Sequence, residues 1–237
     1  MFNKDYNKIY NLQDKFLLSL SSMQHPFYLT GGTALGRFYL HHRNSEDLDF
    51  FTNENKAFKE IVLGLLEKIK KIFELDADKL IINEDFARFV IQEGSVFLKV
   101  EFVNDVNYLA GSPIKTQIGL IDCPLNILAN KITAVAGRDE PKDVFDIVCL
   151  AKQYQFSWLE VFSHAKQKAF INEIEVERRL RSFPVELITI VDWLVMPFEP
   201  EVFKLKVMQL TDDLILGKDN SLSESTIHIN SACPYFR

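Results

Sequence analysis

The sequence predicts a fold of the α/β (α+β) class in two domains: a small mixed β-sheet flanked by helices over residues 1–122, and a helical bundle over residues 123–237. Two observations lead to this prediction. Strand-like runs, two of them joined by a tight turn at Glu93-Gly94, cluster before residue 122. From Cys123-Pro124 onward, the apolar residues recur at helical spacing instead.

The first domain begins with a helix, because its early apolar residues recur at helical spacing. A second strongly amphipathic stretch, residues 55–73, also predicts a helix. The predicted elements, in chain order, are helix 4–23, strand 27–30, a Gly-Gly-Thr turn at 31–33, helix 33–42, strand 47–51, helix 55–73, and strands 79–83, 86–92, 96–103 and 116–121.

Prolines mark three of the helix starts predicted for the second domain, namely Pro124, Pro141 and Pro184. The predicted helices cover residues 124–136, 141–153, 157–169, 172–182, 184–195 and 199–210. The last segment, from Gly217 to Arg237, is rich in Ser and Asn, so we predict that it is poorly ordered.

Composition narrows the classes of function and location. With 47% hydrophobic residues among 237, the chain can build a core. Its net charge of −6 argues against a broadly basic protein that binds nucleic acid indifferently, while a local basic patch stays compatible with it. The three scattered cysteines give no zinc spacing, and no apolar run approaches the ~20 residues of a membrane helix. We therefore expect a soluble, cytoplasmic protein with no membrane partner.

The most informative pattern is a pair of carboxylates, Asp47 and Asp49, in the run Asp-Leu-Asp-Phe-Phe. Alternate residues of a strand share a face, so both carboxylates project together while Leu48 and Phe50 enter the core. Two adjacent carboxylates repel each other unless a cation neutralises them. Mg²⁺, which prefers carboxylate and phosphate oxygens, is the usual cation, whereas a solvated strand edge is the simpler alternative.

Upstream of this pair, Gly31, Gly32 and Thr33 lie between a predicted strand and a predicted helix. Glycines at such a turn let backbone N–H groups approach a phosphate, and the helix N-terminus favours its negative charge. Thr33 serves as a helix N-cap, as a phosphate ligand, or as both. Arg37 lies four residues on, where it reaches the same phosphates or pairs with an acid.

A two-metal site needs a third carboxylate, and Glu101 is the best candidate. In its predicted strand, Leu98, Val100 and Phe102 share one face, so Glu101 lies on the other face together with Lys99. The local sequence supports two interpretations of Glu101 equally well. It is either a metal ligand or an exposed carboxylate that pairs with Lys99 or with a lysine of a neighbouring strand.

A second polar cluster follows in the helical domain and consists of Lys131, Arg138, Lys142, Asp143 and Asp146. The cations on either side of a helix end make a clamp for a triphosphate, which the two aspartates would hold in place by charge-assisted hydrogen bonds. A lysine that extends its charge to the surface and aspartates that favour a helix N-terminus explain the same residues structurally. The composition leaves both interpretations open.

Together these residues resemble the AbiEii/AbiGii toxin family of nucleotidyltransferases, within the DNA polymerase-β-like nucleotidyltransferase superfamily. The first block runs Gly-Gly-Thr-Ala-Leu over 31–35 and Arg-Asn-Ser-Glu-Asp-Leu-Asp-Phe-Phe over 43–51. It is similar to the family signature almost residue for residue. The second block comprises Lys131, Arg138 and the run Lys142-Asp143-Val144-Phe145-Asp146. Two departures are Glu101, where the family usually has Asp, and Lys142, where it prefers Arg.

The resemblance implies a nucleotidyltransferase fold and a two-metal mechanism. Two Mg²⁺ ions would be bound by Asp47, Asp49 and Glu101, and the substrate would be an NTP. Its nucleoside monophosphate would pass to an acceptor hydroxyl, with release of pyrophosphate. Lys131 and Arg37 would stabilise the leaving group, and Glu101 would help to deprotonate the acceptor.

The resemblance also implies a toxin of a toxin–antitoxin or phage-defence system, with a tRNA 3′ end or a protein as candidate acceptors and a cognate antitoxin as candidate partner. Two alternatives stay open at this point. One is a degenerate, non-enzymatic module that only binds a nucleotide. The other is a small-molecule nucleotidyltransferase of the aminoglycoside type.

Overall fold

The first half of the chain forms one mixed sheet, as the sequence predicts. In the computed structural model, which describes residues 4–236, this sheet has eight short strands. They are β1 (Tyr28–Thr30), β2 (Leu48–Asn53), β3 (Glu74–Leu75), β4 (Ile81–Ile82), β5 (Phe86–Glu93), β6 (Val96–Asp105), β7 (Ile114–Thr116) and β8 (Gly119–Ile121). The order is β3-β5-β6-β2-β1-β8-β7, with β4 paired to β5. The β2–β6 and β1–β8 pairs are parallel, and the others are antiparallel.

Alternation along the central strands gives the sheet one apolar and one polar face. In β6, Leu98, Val100 and Phe102 are fully buried. In β2, Phe50 lies on the same side, where its ring stacks on Phe102 with the centroids 5.3 Å apart. Because successive strand residues point to opposite faces, the intervening polar residues of β2 and β6 share the other face.

Helices α1 (Tyr6–Ser21), α2 (Gly31–Phe38) and α3 (Phe58–Ile69) accompany the sheet. The predicted Gly-Gly-Thr turn is wrong, because α2 begins at Gly31, directly after β1. The chain changes direction within one residue there, since Gly31 has a φ of +67° that other residues rarely adopt. Thr33 is consequently the third residue of the helix rather than its first.

Two predicted strands are shorter or divided. Of the strand predicted over 79–83, only Ile81–Ile82 is extended, because Ala77–Lys79 forms a 3-10 helix. The run predicted over 116–121 is instead a hairpin of β7 and β8, in which Gly119 has a φ of +106°. This glycine permits the reversal that a continuous strand would exclude.

Helices α4 (Pro124–Gly137), α5 (Pro141–Gln153), α6 (Trp158–Lys168), α7 (Glu173–Ser182) and α8 (Pro200–Ile215) follow the sheet. The helix predicted over 184–195 is wrong: only a 3-10 helix, Val185–Ile190, forms there. The residues after it are held in an extended conformation, because Leu194 forms a β-bridge with Arg43 and the Trp193 carbonyl accepts from the Asn44 amide at 2.8 Å.

The chain divides into two compact units. Unit 1 comprises the described residues up to Ala34, then Ser45–Tyr108 and Pro113–Asp122. Unit 2 comprises the described residues from Cys123 onward together with two earlier segments, Leu35–Asn44 and Leu109–Ser112. Parts of the predicted first domain therefore belong to unit 2.

The tail that the sequence predicts to be poorly ordered makes specific contacts in its described part. The Asn220 side-chain amide donates to the carbonyls of Ala151 and Tyr154, at 2.6 and 2.8 Å. Two β-bridges, one of them between Ser157 and Asp219, add backbone pairing. These hydrogen bonds satisfy backbone groups, and composition alone does not reveal them.

Among the described residues, none of the helices combines the length and the apolar character of a membrane span.

Candidate active site

The structure brings the predicted carboxylates of unit 1 together. Asp49 and Glu101 are direct partners in the parallel pairing of β2 and β6, and Thr30 lies opposite Asp49 in the antiparallel pairing with β1. Partners in a sheet point to the same face, so Asp49 and Glu101 project side by side. Asp47 directly precedes Leu48, the first residue of β2.

Lys99 is the cation within this carboxylate cluster. Its Nζ lies 2.9 Å from Asp47 Oδ2 and 3.3 Å from Glu101 Oε1. Arg88, on β5, donates from Nε to the same Glu101 oxygen at 2.6 Å. The sequence leaves two interpretations of Glu101 open, a metal ligand and a carboxylate that pairs with a lysine. Both are compatible with the structure, in which Lys99 and Arg88 neutralise this carboxylate.

The cluster holds Lys99 in its charged form. Partial burial would lower the pKa of the Lys99 ammonium, but the hydrogen bond and the charge of Asp47, with the charges of Glu101 and Asp49, raise that pKa above its usual value. The ammonium is therefore a permanent positive charge among three acidic side chains.

Gly31 lets the carboxylate of Asp49 approach the start of α2. A Cβ at position 31 would lie 2.9 Å from Asp49 Oδ2, which is shorter than real Cβ contacts allow. The positive φ of Gly31 would also strain any other residue. Gly31 therefore supports the site sterically, whereas the predicted contact of Gly31 and Gly32 with phosphate stays a prediction.

Thr33 and Gln13 fix the segment that carries Asp47. The Thr33 hydroxyl, fully buried, hydrogen-bonds Ser45 Oγ at 2.9 Å and donates to the Asp47 carbonyl. Gln13, also fully buried, donates from Nε2 to the carbonyls of Ser45 and Glu46, at 3.1 and 3.0 Å. The role of Gln13 could not be predicted, because a polar residue in an amphipathic helix gives no signal of long-range pairing.

In unit 2, the predicted second cluster is one buried ion network. Lys131 Nζ lies 2.7 Å from Asp143 Oδ1 and 2.8 Å from Asp146 Oδ2. Arg138 donates from Nε to Asp143 Oδ2 at 2.7 Å. The aspartates thus hold Lys131 and Arg138 in place by charge-assisted hydrogen bonds. The network is buried except for Arg138, whose side chain is 62% exposed. Lys142 is half-buried in the first turn of α5.

Two members of this network were missed from the sequence. Arg43 donates two parallel hydrogen bonds to Asp146, from Nε at 2.6 Å and from Nη2 at 2.8 Å. His42 Nε2 lies 2.7 Å from Asp146 Oδ1, and its ring stacks on Phe145 with the centroids 5.7 Å apart. In the sequence they belong only to a short polar run, His41-His42-Arg43, which reads equally well as a polar turn. Arg37, the other predicted cation of this unit, lies half-buried in the last turn of α2.

The pKa values in the network follow from its pairing. Burial would raise the pKa of Asp146, but Arg43 and Lys131 hold it well below its usual range. Burial would lower the pKa of Lys131, but Asp146 and Asp143 raise it. Burial lowers the pKa of His42 despite the carboxylate beside it, so the imidazole is neutral at pH 7. The network is thus made of ionised aspartates and cations with a neutral histidine.

Within the described residues, no group of three or more His, Cys, Asp or Glu side chains has the arrangement of a metal site. In unit 1 the Lys99 ammonium contacts both Asp47 and Glu101. Carboxylate oxygens are nevertheless the kind of donor that Mg²⁺ prefers.

Sequence comparison identifies the family. The family described as nucleotidyl transferase AbiEii toxin, Type IV TA system, matches residues 15–189. This range includes every residue predicted for the site. No curated protein matches the chain.

Solved structures share the fold. A Helicobacter pylori protein, provisionally assigned as a nucleotidyltransferase, is 20% identical with a TM-score of 0.61, and the match covers 88% of this chain and 94% of that one. JHP933 from Helicobacter pylori is 20% identical with a TM-score of 0.58, covering 90% and 92%. MenT4, the nucleotidyltransferase toxin Rv2826c from Mycobacterium tuberculosis H37Rv, is 18% identical with a TM-score of 0.55, covering 89% and 84%.

At these identities the structural likeness shows a common fold and no more, so the family assignment comes from the sequence match. That match spans well over half of the chain and contains both motif blocks. The protein therefore belongs to the AbiEii nucleotidyltransferase toxin family and is a nucleotidyltransferase.

Proposed function

We propose that this protein transfers a nucleoside monophosphate from an NTP to an acceptor hydroxyl, depends on Mg²⁺, and releases pyrophosphate. The observation that carries the proposal is the register of β2 and β6, which sets Asp49 beside Glu101 on the polar face of the sheet. Asp47 joins them through its contact with Lys99, which also contacts Glu101.

These residues fit a divalent metal. Asp47, Asp49 and Glu101 would hold it, because hard oxygen donors that share one face are the ligands that Mg²⁺ prefers. A cation already lies among them in the form of the Lys99 ammonium. When bound, Mg²⁺ neutralises negative charge on the phosphates and polarises the α-phosphate toward attack.

The protein's own residues position the carboxylates, accept the proton of the acceptor hydroxyl and bind the phosphates. Gly31 leaves room for the Asp49 carboxylate, and Thr33 fixes the backbone of Asp47. Glu101 accepts the proton of the acceptor hydroxyl as that hydroxyl attacks, and its contact with Arg88 keeps the carboxylate oriented. We also propose that Arg37, Lys131 and Arg138 bind phosphate oxygens, with Lys142, Asp143 and Asp146 as their support.

The biological role that we propose is that of a toxin with a cognate antitoxin, which the family description and the toxin MenT4 support. The candidate acceptors are a tRNA 3′ end and a protein. A net charge of −6 disfavours a broad electrostatic footprint on RNA. The end of a tRNA would need only a small part of the surface.

The test is an acceptor screen with each of the four NTPs labelled at the α-phosphate, run with and without Mg²⁺. We expect label to appear in one acceptor class only when Mg²⁺ is present, together with an equal amount of pyrophosphate. Asp49→Asn should lower the rate of transfer by at least about a hundredfold, because one carboxylate ligand of the proposed Mg²⁺ is lost.

Glu93→Gln is the matched control, since Glu93 is an exposed carboxylate of unit 1 outside the site. It should transfer label at the rate of the unchanged protein. Transfer by Asp49→Asn near that rate would refute the site. Transfer to an aminoglycoside without RNA or protein would establish the small-molecule alternative instead.

A further inference from the structure

We propose that Lys99 is a positioning residue of the carboxylate site, whose ammonium holds Asp47 and Glu101 together until a divalent metal displaces it. This inference rests on the proposed function, because it takes these carboxylates as the metal ligands. It adds a role for a residue that neither motif block contains.

The position of Lys99 on β6 makes the contact possible. Lys99 is two residues from Glu101, so both side chains lie on the polar face of the sheet. Its ammonium contacts Asp47 Oδ2 and Glu101 Oε1, at 2.9 and 3.3 Å, and thereby joins the end of one strand to its neighbour. One flexible side chain therefore links two of the three proposed ligands.

The charges explain why such a link is needed. Asp47, Asp49 and Glu101 bring three negative charges to one face, and Arg88 contributes one positive charge at Glu101 Oε1. Lys99 supplies a second positive charge, which leaves the cluster close to neutral. Without it, Asp47 and Asp49 repel each other in a half-buried place, where solvent screens charge only in part.

The same oxygens cannot serve Lys99 and a metal equally well. Mg²⁺ binds oxygen at about 2.0–2.1 Å and demands near-octahedral geometry. An ammonium in hydrogen-bond contact with two of the ligand oxygens occupies directions that the metal needs. Metal binding and the Lys99 contacts therefore compete, and the apparent metal affinity is reduced by the free energy of those contacts.

Competition has two measurable consequences. Removal of the ammonium should tighten metal binding, because nothing has to be displaced. It should also destabilise the metal-free protein, because the cluster then loses one of its two positive charges and only Arg88 is left. A lysine that merely packs against the sheet would cause the second effect without the first.

The experiment measures Mn²⁺ binding by calorimetry, and the thermal midpoint in EDTA and in excess Mg²⁺, for the unchanged protein and for Lys99→Met. We expect Lys99→Met to lower the Mn²⁺ dissociation constant roughly fivefold to tenfold. In EDTA, the thermal midpoint of Lys99→Met should lie below that of the unchanged protein. Excess Mg²⁺ should raise the midpoint of the variant by more than it raises the midpoint of the unchanged protein.

Two further variants keep the result interpretable. Lys15→Met removes an exposed lysine that pairs with Glu93 at 2.7 Å, away from the site, and should change neither quantity. Lys99→Arg keeps the charge and should bind Mn²⁺ no more tightly than the unchanged protein. If Lys99→Met does not fold, tighter Mn²⁺ binding by Lys99→Gln supports the proposal, and unchanged or weaker binding refutes it.

Failure of this inference is distinguishable from failure of the proposed function. Equal or weaker Mn²⁺ binding by Lys99→Met, with binding still abolished by Asp49→Ala, would overturn the role of Lys99 and leave the metal site intact. Mn²⁺ binding that persists in Asp49→Ala, or is lacking in every variant, would overturn the metal site itself.

Discussion

The two ion clusters contain the same kinds of side chain but differ in burial. In the carboxylate cluster of unit 1, Asp47 is 38% exposed and Lys99 is 35% exposed. In the network of unit 2, Asp146 is inaccessible to solvent and Arg43 is 2% exposed. The first arrangement is open to exchange with a solvent cation, whereas the second is closed.

The energetic consequence follows from desolvation. A partly exposed ion pair contributes little to folding, because water can replace either partner. A buried pair costs much to break, because the remaining charge has no partner and no water. Sequence motifs mark both clusters equally, but the network of unit 2 should contribute much more to stability than the carboxylate cluster of unit 1.

The largest expected effect is that of Asp146→Ala. Its loss leaves Arg43 and Lys131 buried with one carboxylate fewer, so the free energy of unfolding should fall by about 3–5 kcal/mol. Urea unfolding followed by circular dichroism measures this change. Glu93→Ala, which breaks an exposed pair, should cost less than about 1 kcal/mol. A small effect of Asp146→Ala would break the comparison between the clusters.

The second effect concerns geometry rather than charge. Arg43→Lys keeps the positive charge but loses one of the two parallel hydrogen bonds to Asp146. We expect a loss of about 1–2 kcal/mol in the free energy of unfolding. Lys15→Arg, at an exposed pair, is the matched exchange in the opposite direction and should have no measurable effect. Equal stability of Arg43→Lys and the unchanged protein would show that charge alone is required.

A third effect is a pH dependence. The pKa of His42 in the folded protein is lowered by burial, so the unfolded chain binds more protons below its usual pKa of about 6.5. Stability should therefore fall as the pH drops from 6.5 to 5, by at most about 1.4 kcal/mol per pH unit. His42→Gln should make the urea midpoint less sensitive to pH over this range. A steeper dependence in the variant would contradict the neutral state of His42.

The smallest effect is that of Asp47→Asn. This change removes a partly exposed contact with Lys99, so it should alter the free energy of unfolding by less than about 1 kcal/mol. The same exchange at Asp146 should cost several times more. Together the two asparagine variants compare the clusters directly, and equal losses would show that burial does not distinguish them.

The local pattern predicts one side of this comparison well. Alternation places Asp47 with Asp49 and Glu101 with Lys99; in the structure Asp49 pairs with Glu101, and Lys99 contacts both Asp47 and Glu101. The sequence could not establish that β2 and β6 are neighbours, because the two strands lie far apart in the chain and strand order depends on the whole sheet. Spacing predicts faces, and long-range pairing decides which faces meet.

The network of unit 2 shows the opposite limit. Arginine is rarely buried, so nothing near Arg43 predicts a contact with a residue 103 positions further along the chain. The failed helix over 184–195 has the same origin. Its helical spacing is real, but the backbone of Trp193 pairs with Asn44 instead, and this tertiary contact overrides the local preference.

Gly31 is a position at which one small substitution should inactivate the protein. A single methyl group at this position would collide with the Asp49 carboxylate and strain the backbone at once. Gly31→Ala should thus disarm the enzyme while every charged side chain stays in the sequence. An inactive Gly31→Ala protein could be produced in quantity and used to search for the acceptor and the antitoxin that we propose, because its surface charges would be unchanged.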